Sequence, residues 1–139
     1  MRGKLEATAG PRSLKRGPGG LTDVEFAVQL LQLKYGREHP DVLRPNVWDA
    51  LDALSAAGRL PGADADALRA GYTFLRRVEA RLRVVTDRPL TELPEAAGEQ
   101  AKLAHRLGFA APADFRDALA RAAAGVRAAY LAVLARERG

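Results

Sequence analysis

A chain of 139 residues, 47% apolar and 28% charged, is one globular domain's worth of protein and too apolar to be disordered. It has no cysteine, which excludes a disulfide framework, a thiolate metal site and a cysteine nucleophile. The net charge of +5 suits anionic partners such as nucleotides, nucleic acid or an acidic protein face, and equally suits arginine used on solvated helix faces.

No apolar run reaches the length of about 18 residues expected of a membrane span. "MRGKLEATAG" lacks the apolar core of a signal peptide. The expectation is a cytoplasmic protein with no membrane partner.

Residues 1–20 are polar and glycine-rich and read as a lead-in, in which Arg2, Lys4 and Glu6 could close a preceding helix. From residue 21 to 139 the chain reads as one helical bundle domain. The first helix is predicted from Leu21 to Tyr35, with Thr22 and Glu25 as a capping box and Gly36 as the stop. Val24, Ala27, Val28, Leu31 and Tyr35 form one apolar face; Phe26, Leu30 and Leu33 form another. Two apolar faces predict a helix at the buried centre.

"REHPDVLRP" is a loop, because its prolines exclude a continuous helix. Asn46 caps a second helix over 47–57, which Gly58 ends. Asp64 is the expected cap of a third, over 65–85, whose inward stripe is Leu68, Tyr72, Leu75, Val78, Leu82 and Val85. "TDRPLTELPEA" is irregular. A fourth helix over 97–107 stops at Gly108. The last opens at Pro112 or Ala113, with Phe115, Leu119, Ala122, Val126, Tyr130 and Val133 inward. No stretch alternates as a strand does. The fold class is all-α: an antiparallel bundle of about five helices behind a glycine-rich lead-in.

The one stretch with anion-binding physics is "LKRGPGGLTDVEF". It is neither a P-loop nor a dinucleotide fingerprint, since it lacks GxxxxGK[ST] and no strand precedes it. A helix N-terminus still offers N–H groups and a partial positive charge. Gly19 and Gly20 would admit a ligand close to the backbone, and Lys15 and Arg16 would neutralise a phosphate. Asp23 and Glu25 compete for the same dipole, diverge on the helix, and make a poor metal pair by themselves. The candidate nucleotide-facing residues are Lys15, Arg16, Gly19, Gly20, Asp23 and Glu25, but on spacing alone capping by the first-turn acids is the stronger reading and phosphate contact the weaker.

His39 and His105 stand in separate segments without a carboxylate pattern. No nucleophile elbow or HExxH occurs, so neither a catalytic residue nor a metal ligand is assigned. The arginine row in "FLRRVEARLR" suits nucleic acid by charge. Aromatics are only 6%, however, and Glu79 can pair with Arg76 or Arg83. A solvated face is the stronger reading, and nucleic acid the weaker partner class.

"LKRGPGGLTDVEFAVQLLQLKYG" resembles the segment behind the nucleotidyltransferase domain of glutamate–ammonia-ligase (glutamine synthetase) adenylyltransferases, the adenylyl-removing enzymes. The family pattern is K-x-G-x-G-G-[IL]-x-[DE]-[IV]-E-F-x-V-Q. Lys15, Gly17, Gly19, Gly20, Leu21, Asp23, Val24, Glu25, Phe26, Val28 and Gln29 fit it. "NVWDALDALSAAGRL", "LRAGYTFLRRVEARLRVVTDRPLTELP" and "LAHRLGF…DFRDAL…VRAAYLAVL" extend the resemblance over nearly the whole chain.

The resemblance implies a bifunctional enzyme. One half moves AMP from ATP, with Mg2+, onto a tyrosine of glutamine synthetase, and the other removes it by phosphorolysis. A PII-type signal protein and glutamine set the balance. Related uridylyltransferases that modify PII share the bundle type. The family's G-S…D-x-D catalytic pattern does not occur in this sequence. The expectation is a bundle that follows a nucleotidyltransferase domain, without transfer activity alone, and which half it matches stays open. A stand-alone basic helical module that binds nucleic acid or a protein partner is the alternative.

Overall fold

The structure is a computed structural model that describes residues 14–15, 17–86, 93–94 and 96–138. The proposed helix end at Arg2, Lys4 and Glu6, the side chain of Val85, Arg16 and most of the 86–96 segment lie outside the described residues.

The described chain is helical. α1 spans Leu21–Tyr35, α2 Val47–Ala56, α3 Gly62–Thr86, α4 Ala97–Arg106 and α5 Pro112–Arg138, with a short 3-10 turn at Pro40–Val42. No strand occurs among the described residues. The all-α bundle of five helices is therefore as the hydrophobic periodicity requires.

Boundaries follow local chemistry, with some exceptions. The Asn46 side chain accepts from the Asp49 N–H and opens α2. Gly58 and Gly108 end helices. The capping box of Thr22 and Glu25 does not form: the cap position is Gly20, with no side-chain cap bond, and Thr22 already lies inside the helix. Asp64 does not cap α3 either. That helix begins at Gly62, where the Ala65 N–H donates to the Pro61 carbonyl at 2.9 Å.

The helices are mostly antiparallel, as contacts along their lengths show. Asp52 meets Arg69 and Trp48 meets Thr73, so α2 runs against α3. Asp64 meets Arg136, and a Cβ on Gly71 would strike Val126, so α3 runs against α5. α1 and α5 run the other way. Asp23 pairs with Arg127 and Lys34 with Glu137, so these helices lie side by side and parallel.

One core joins all five helices. Val24, Leu31, Leu51, Leu54, Leu68, Leu75, Val78, Leu82, Leu103, Phe115, Val126 and Val133 are buried in it. Each side chain of this size stabilises the fold by about 1.5–3 kcal/mol on burial. The expected second apolar face of α1 is not enclosed. Among the described residues, Phe26 and Leu30 are half-buried and Leu33 is 87% exposed.

α5 holds an 18-residue window of mean hydropathy 1.4, long and apolar enough to cross a membrane, of which 22% is buried. Single arginines interrupt its apolar runs, and small alanines supply much of the hydropathy.

α1 begins partway along α3 and α5. Below its start the bundle is four helices thick. Above it, the end of α3, α4 and the start of α5 form a three-helix section. The glycine-rich turn sits at the step between the two.

Candidate functional site: the glycine turn at the step

The turn folds back on itself before α1 begins. Gly20 donates to the Gly17 carbonyl at 2.9 Å, Leu21 to Leu14 at 2.9 Å, Thr22 to Lys15 at 2.9 Å and Asp23 to Gly20 at 3.2 Å. These are the N–H groups that a helix start normally leaves unpaired. The turn's own carbonyls satisfy them here.

Gly19 has φ +76°, a left-handed conformation, and a Cβ there would lie 2.1 Å from the Ala123 carbonyl oxygen of α5. A Cβ on Gly20 would come within 2.7–2.9 Å of the carbonyl oxygens of Leu14, Lys15 and Gly17. Both glycines therefore serve backbone packing, the turn lying directly on α5.

Asp23 completes this seat. Its side chain is fully buried. It accepts from the Gly19 N–H at 2.6 Å and from the Arg127 guanidinium of α5 at 3.2 Å. A buried carboxylate is tolerable only with such partners, and these tie the turn, α1 and α5 together. The Arg127 guanidinium also stacks on Tyr130, 5.4 Å from the ring centre.

On the other flank of α1, Glu25 is half-buried and borders a hollow of about 170 Å³ with Gln29, Gln32 and Arg44. It also faces α3. Burial raises the Tyr72 hydroxyl above its ordinary pKa; Arg76 opposes this, and the charges of Glu25 and Glu79 add to it. Glu79 is buried and accepts from Arg76 at 2.9 Å, the partner choice open in the sequence. Tyr72 packs edge-on against Trp48 with ring centres 4.9 Å apart. The "GGLTDVEF" and "GYTFLRRVE" segments thus meet at the step.

The expected site residues separate. Lys15 is exposed at the turn; Gly19, Gly20 and Asp23 are buried beneath it; Glu25 is half-buried beside the hollow that Gln29, Gln32 and Arg44 line. Arg16 lies outside the described residues. Among the described residues, no group of three or more histidines and carboxylates could hold a metal ion. His39 lies against Arg59, and His105 is exposed. The arginine row on α3 is partly committed: Arg69 pairs with Asp52, Arg76 with Glu79, and Arg77 donates to the Leu107 carbonyl at 3.2 Å.

Arg127 is the residue that sequence reasoning missed. Its signal was a lone arginine in the alanine-rich run "AAAGVRAAYLAVLA". A charge there needs a buried partner, and Asp23 is it.

Residues 4–134 match the family described as GlnD PII-uridylyltransferase. The chain belongs to that family. Several members resemble it closely. The bifunctional glutamine synthetase adenylyltransferase/adenylyl-removing enzyme of Xanthomonas axonopodis pv. citri is 39% identical over 122 residues, which are 88% of this chain and 13% of that protein. The enzyme of the same name from Stenotrophomonas maltophilia K279a is 40% identical over 126 residues, 91% of this chain and 14% of that protein. That of Streptomyces avermitilis is 44% identical over 100 residues, 72% of this chain and 10% of that protein. The chain thus spans about an eighth of the relatives it matches. These relatives are adenylyltransferase/adenylyl-removing enzymes by name, whereas the matching family is described by a uridylyltransferase.

Proposed function

We propose that this chain is the helical-bundle part of a glutamine synthetase adenylyltransferase/adenylyl-removing enzyme, residues 1–20 being the joint to a nucleotidyltransferase domain and 21–139 the bundle. The intact enzyme transfers AMP from ATP, with Mg2+, to glutamine synthetase in the cytoplasm and removes it again, under a PII-type signal protein. The bundle braces the catalytic domain and has no transfer activity of its own.

The observation that carries this reading is the seat of the glycine turn. A flexible linker would leave its glycines in open space. Here Gly19, Gly20 and Asp23 fasten the turn onto α5, which supports a fixed joint over a flexible linker. The turn's satisfied N–H groups favour a joint over a phosphate cradle. Of the candidate nucleotide-facing residues, Lys15 and Arg16 carry the remaining case, Lys15 by its exposure.

The test is a chimera of the Stenotrophomonas enzyme in which this chain replaces the matching segment. AMP incorporation into glutamine synthetase is expected from the chimera, and none from this chain alone with ATP and Mg2+. A soluble, folded chimera that neither adds nor removes AMP would overturn the proposal. Lys15→Ala in the chimera should weaken ATP binding; unchanged ATP affinity and transfer rate would remove Lys15 from the nucleotide's surroundings.

A further inference from the structure

The lower end of the bundle holds a half-buried histidine in an arrangement that only its neutral form can make. His39 follows the end of α1: its N–H donates to the Tyr35 carbonyl at 2.9 Å, and its carbonyl accepts from the Val42 N–H at 3.0 Å. Its ring meets Arg59, just beyond α2. Arg59 Nε lies 3.4 Å and Nη2 3.3 Å from His39 Nε2. A guanidinium only donates, so Nε2 carries the accepting lone pair and the ring proton is assigned to Nδ1.

Arg59 is itself fixed. Its guanidinium stacks on the Tyr35 ring, 4.7 Å from the centre, and Glu38 stands 3.9 Å from it. The Tyr35 hydroxyl bonds to Glu137 of α5, which pairs with Lys34 at 3.0 Å. The remaining charged groups around His39 are Asp41 and Arg44. Together with His39, Glu38 and Ala53 of α2 they line a hollow of about 440 Å³. Arg44 is tied through Nε to the Asp41 carbonyl at 2.9 Å, which leaves the Asp41 carboxylate to the hollow. The imidazole thus borders a cation and also a hollow whose wall carries two carboxylates.

We propose that His39 is a proton-operated latch on the Pro40–Val42 turn. Neutral, it holds the turn against Arg59. A proton taken from water onto Nε2 turns the acceptor into a charged donor facing a second cation, and the contact breaks. The ring then turns into the hollow and pairs with Asp41, while Arg59 keeps Tyr35 and Glu38. The latch is closed at neutral pH and opens as pH falls through the range in which imidazoles take up protons. Movement is confined to the near end of the loop, because Gln32 of α1 clamps the far end by donating to the Val42 and Arg44 carbonyls at 2.8 and 2.9 Å.

The test follows this chain by NMR from about pH 7.5 to about pH 5.5, across the imidazole range. The Val42 and Leu43 amides bond to the His39 and Pro40 carbonyls. They should shift with the same midpoint as the His39 ring, and their hydrogen exchange, corrected for intrinsic rate, should quicken about tenfold. His105, exposed on α4, should titrate without moving them. His39→Gln offers Arg59 an accepting oxygen at every pH and should keep exchange slow throughout. Arg59→Met keeps an aliphatic stem on Tyr35 without a donor, and should give the fast exchange already at the upper pH with unchanged helicity. A His39 ring that titrates while both amides stay still overturns the proposal. So does a pH response that survives in His39→Gln, which would assign it to another group. These readouts use this chain alone, so failure here leaves the enzymatic reading standing.

Discussion

The four-helix half below the step and the three-helix half above it are fastened by different forces. Below, α1 meets helices from remote parts of the chain, and charged or polar groups set the register: Asp23 with Arg127, Tyr35 and Lys34 with Glu137, Arg136 with Asp64. Above, α4 and α5 are joined by a short connection at 107–111, and the fastening is mainly apolar. Phe74, Phe109 and Phe115 form a ring cluster with centres 5.7–6.5 Å apart, beside Leu82, Leu103 and Leu107. Packing energy is non-directional. It serves where a short connection already fixes which helices meet, whereas a parallel pair with no short connection needs directional contacts to choose its offset.

The largest expected effect tests the upper half. Phe115→Ala removes the buried ring at the centre of its cluster and should cost about 4 kcal/mol. Hydrogen exchange should then show amides of α4 and the start of α5 losing protection before those of α1. Simultaneous loss in both halves would mean that the step does not divide the molecule energetically.

The lower half yields next. Arg127→Met keeps the aliphatic stem but strands the Asp23 carboxylate with fewer partners, at a cost of about 3 kcal/mol. Adding Asp23→Asn removes the buried charge, and the double variant should recover a measurable part of that loss in denaturant titration. A double variant as unstable as the sum of the singles would show that the two side chains do not act as a pair.

This contrast also explains what was legible in the sequence. Packing leaves a periodic record, so the limits of α1, the cap at Asn46, the stops at Gly58 and Gly108 and the stripe from Leu68 to Leu82 could be read directly. Directional contacts between distant segments leave none. Thr22 and Glu25 have capping-box spacing, yet Asp23 takes the Gly19 N–H because the turn's carbonyls already occupy the next donors. The second apolar face of α1 looked like core because periodicity records that a face is apolar, not which molecule covers it. The glycines fitted a phosphate turn and a close backbone crossing equally well; the position of Ala123 of α5 tells them apart.

The smallest effect is the most selective, because it changes with pH in one half only. Burial pushes the Glu137 carboxyl up, but hydrogen bonds from Tyr35 and Lys34 and the charges of Lys34 and Arg136 outweigh it and hold the group below its ordinary range. The hydrogen bond to Glu137, then burial, raises Tyr35 above its ordinary value. A depressed carboxyl contributes stability that is fully present above its unfolded pKa of about 4.3 and lost as pH falls through the folded value. A raised tyrosine contributes stability present below about pH 10 and lost as pH rises through its folded value. Glu137→Gln should therefore cost about 1–2 kcal/mol at pH 7, where a charged acceptor becomes neutral, and the gap to the unaltered chain should close as pH falls below about 4. Chemical denaturation of both proteins at pH 7 and pH 3 measures that gap. Above the step, the Arg77 bond to the Leu107 carbonyl has no titrating partner in this range. Acid below about pH 4 should therefore open the α1–α5 seam before it disturbs the Phe74–Phe109–Phe115 cluster. If exchange in α4 accelerates first instead, the seam's charges are not what holds the lower half in register.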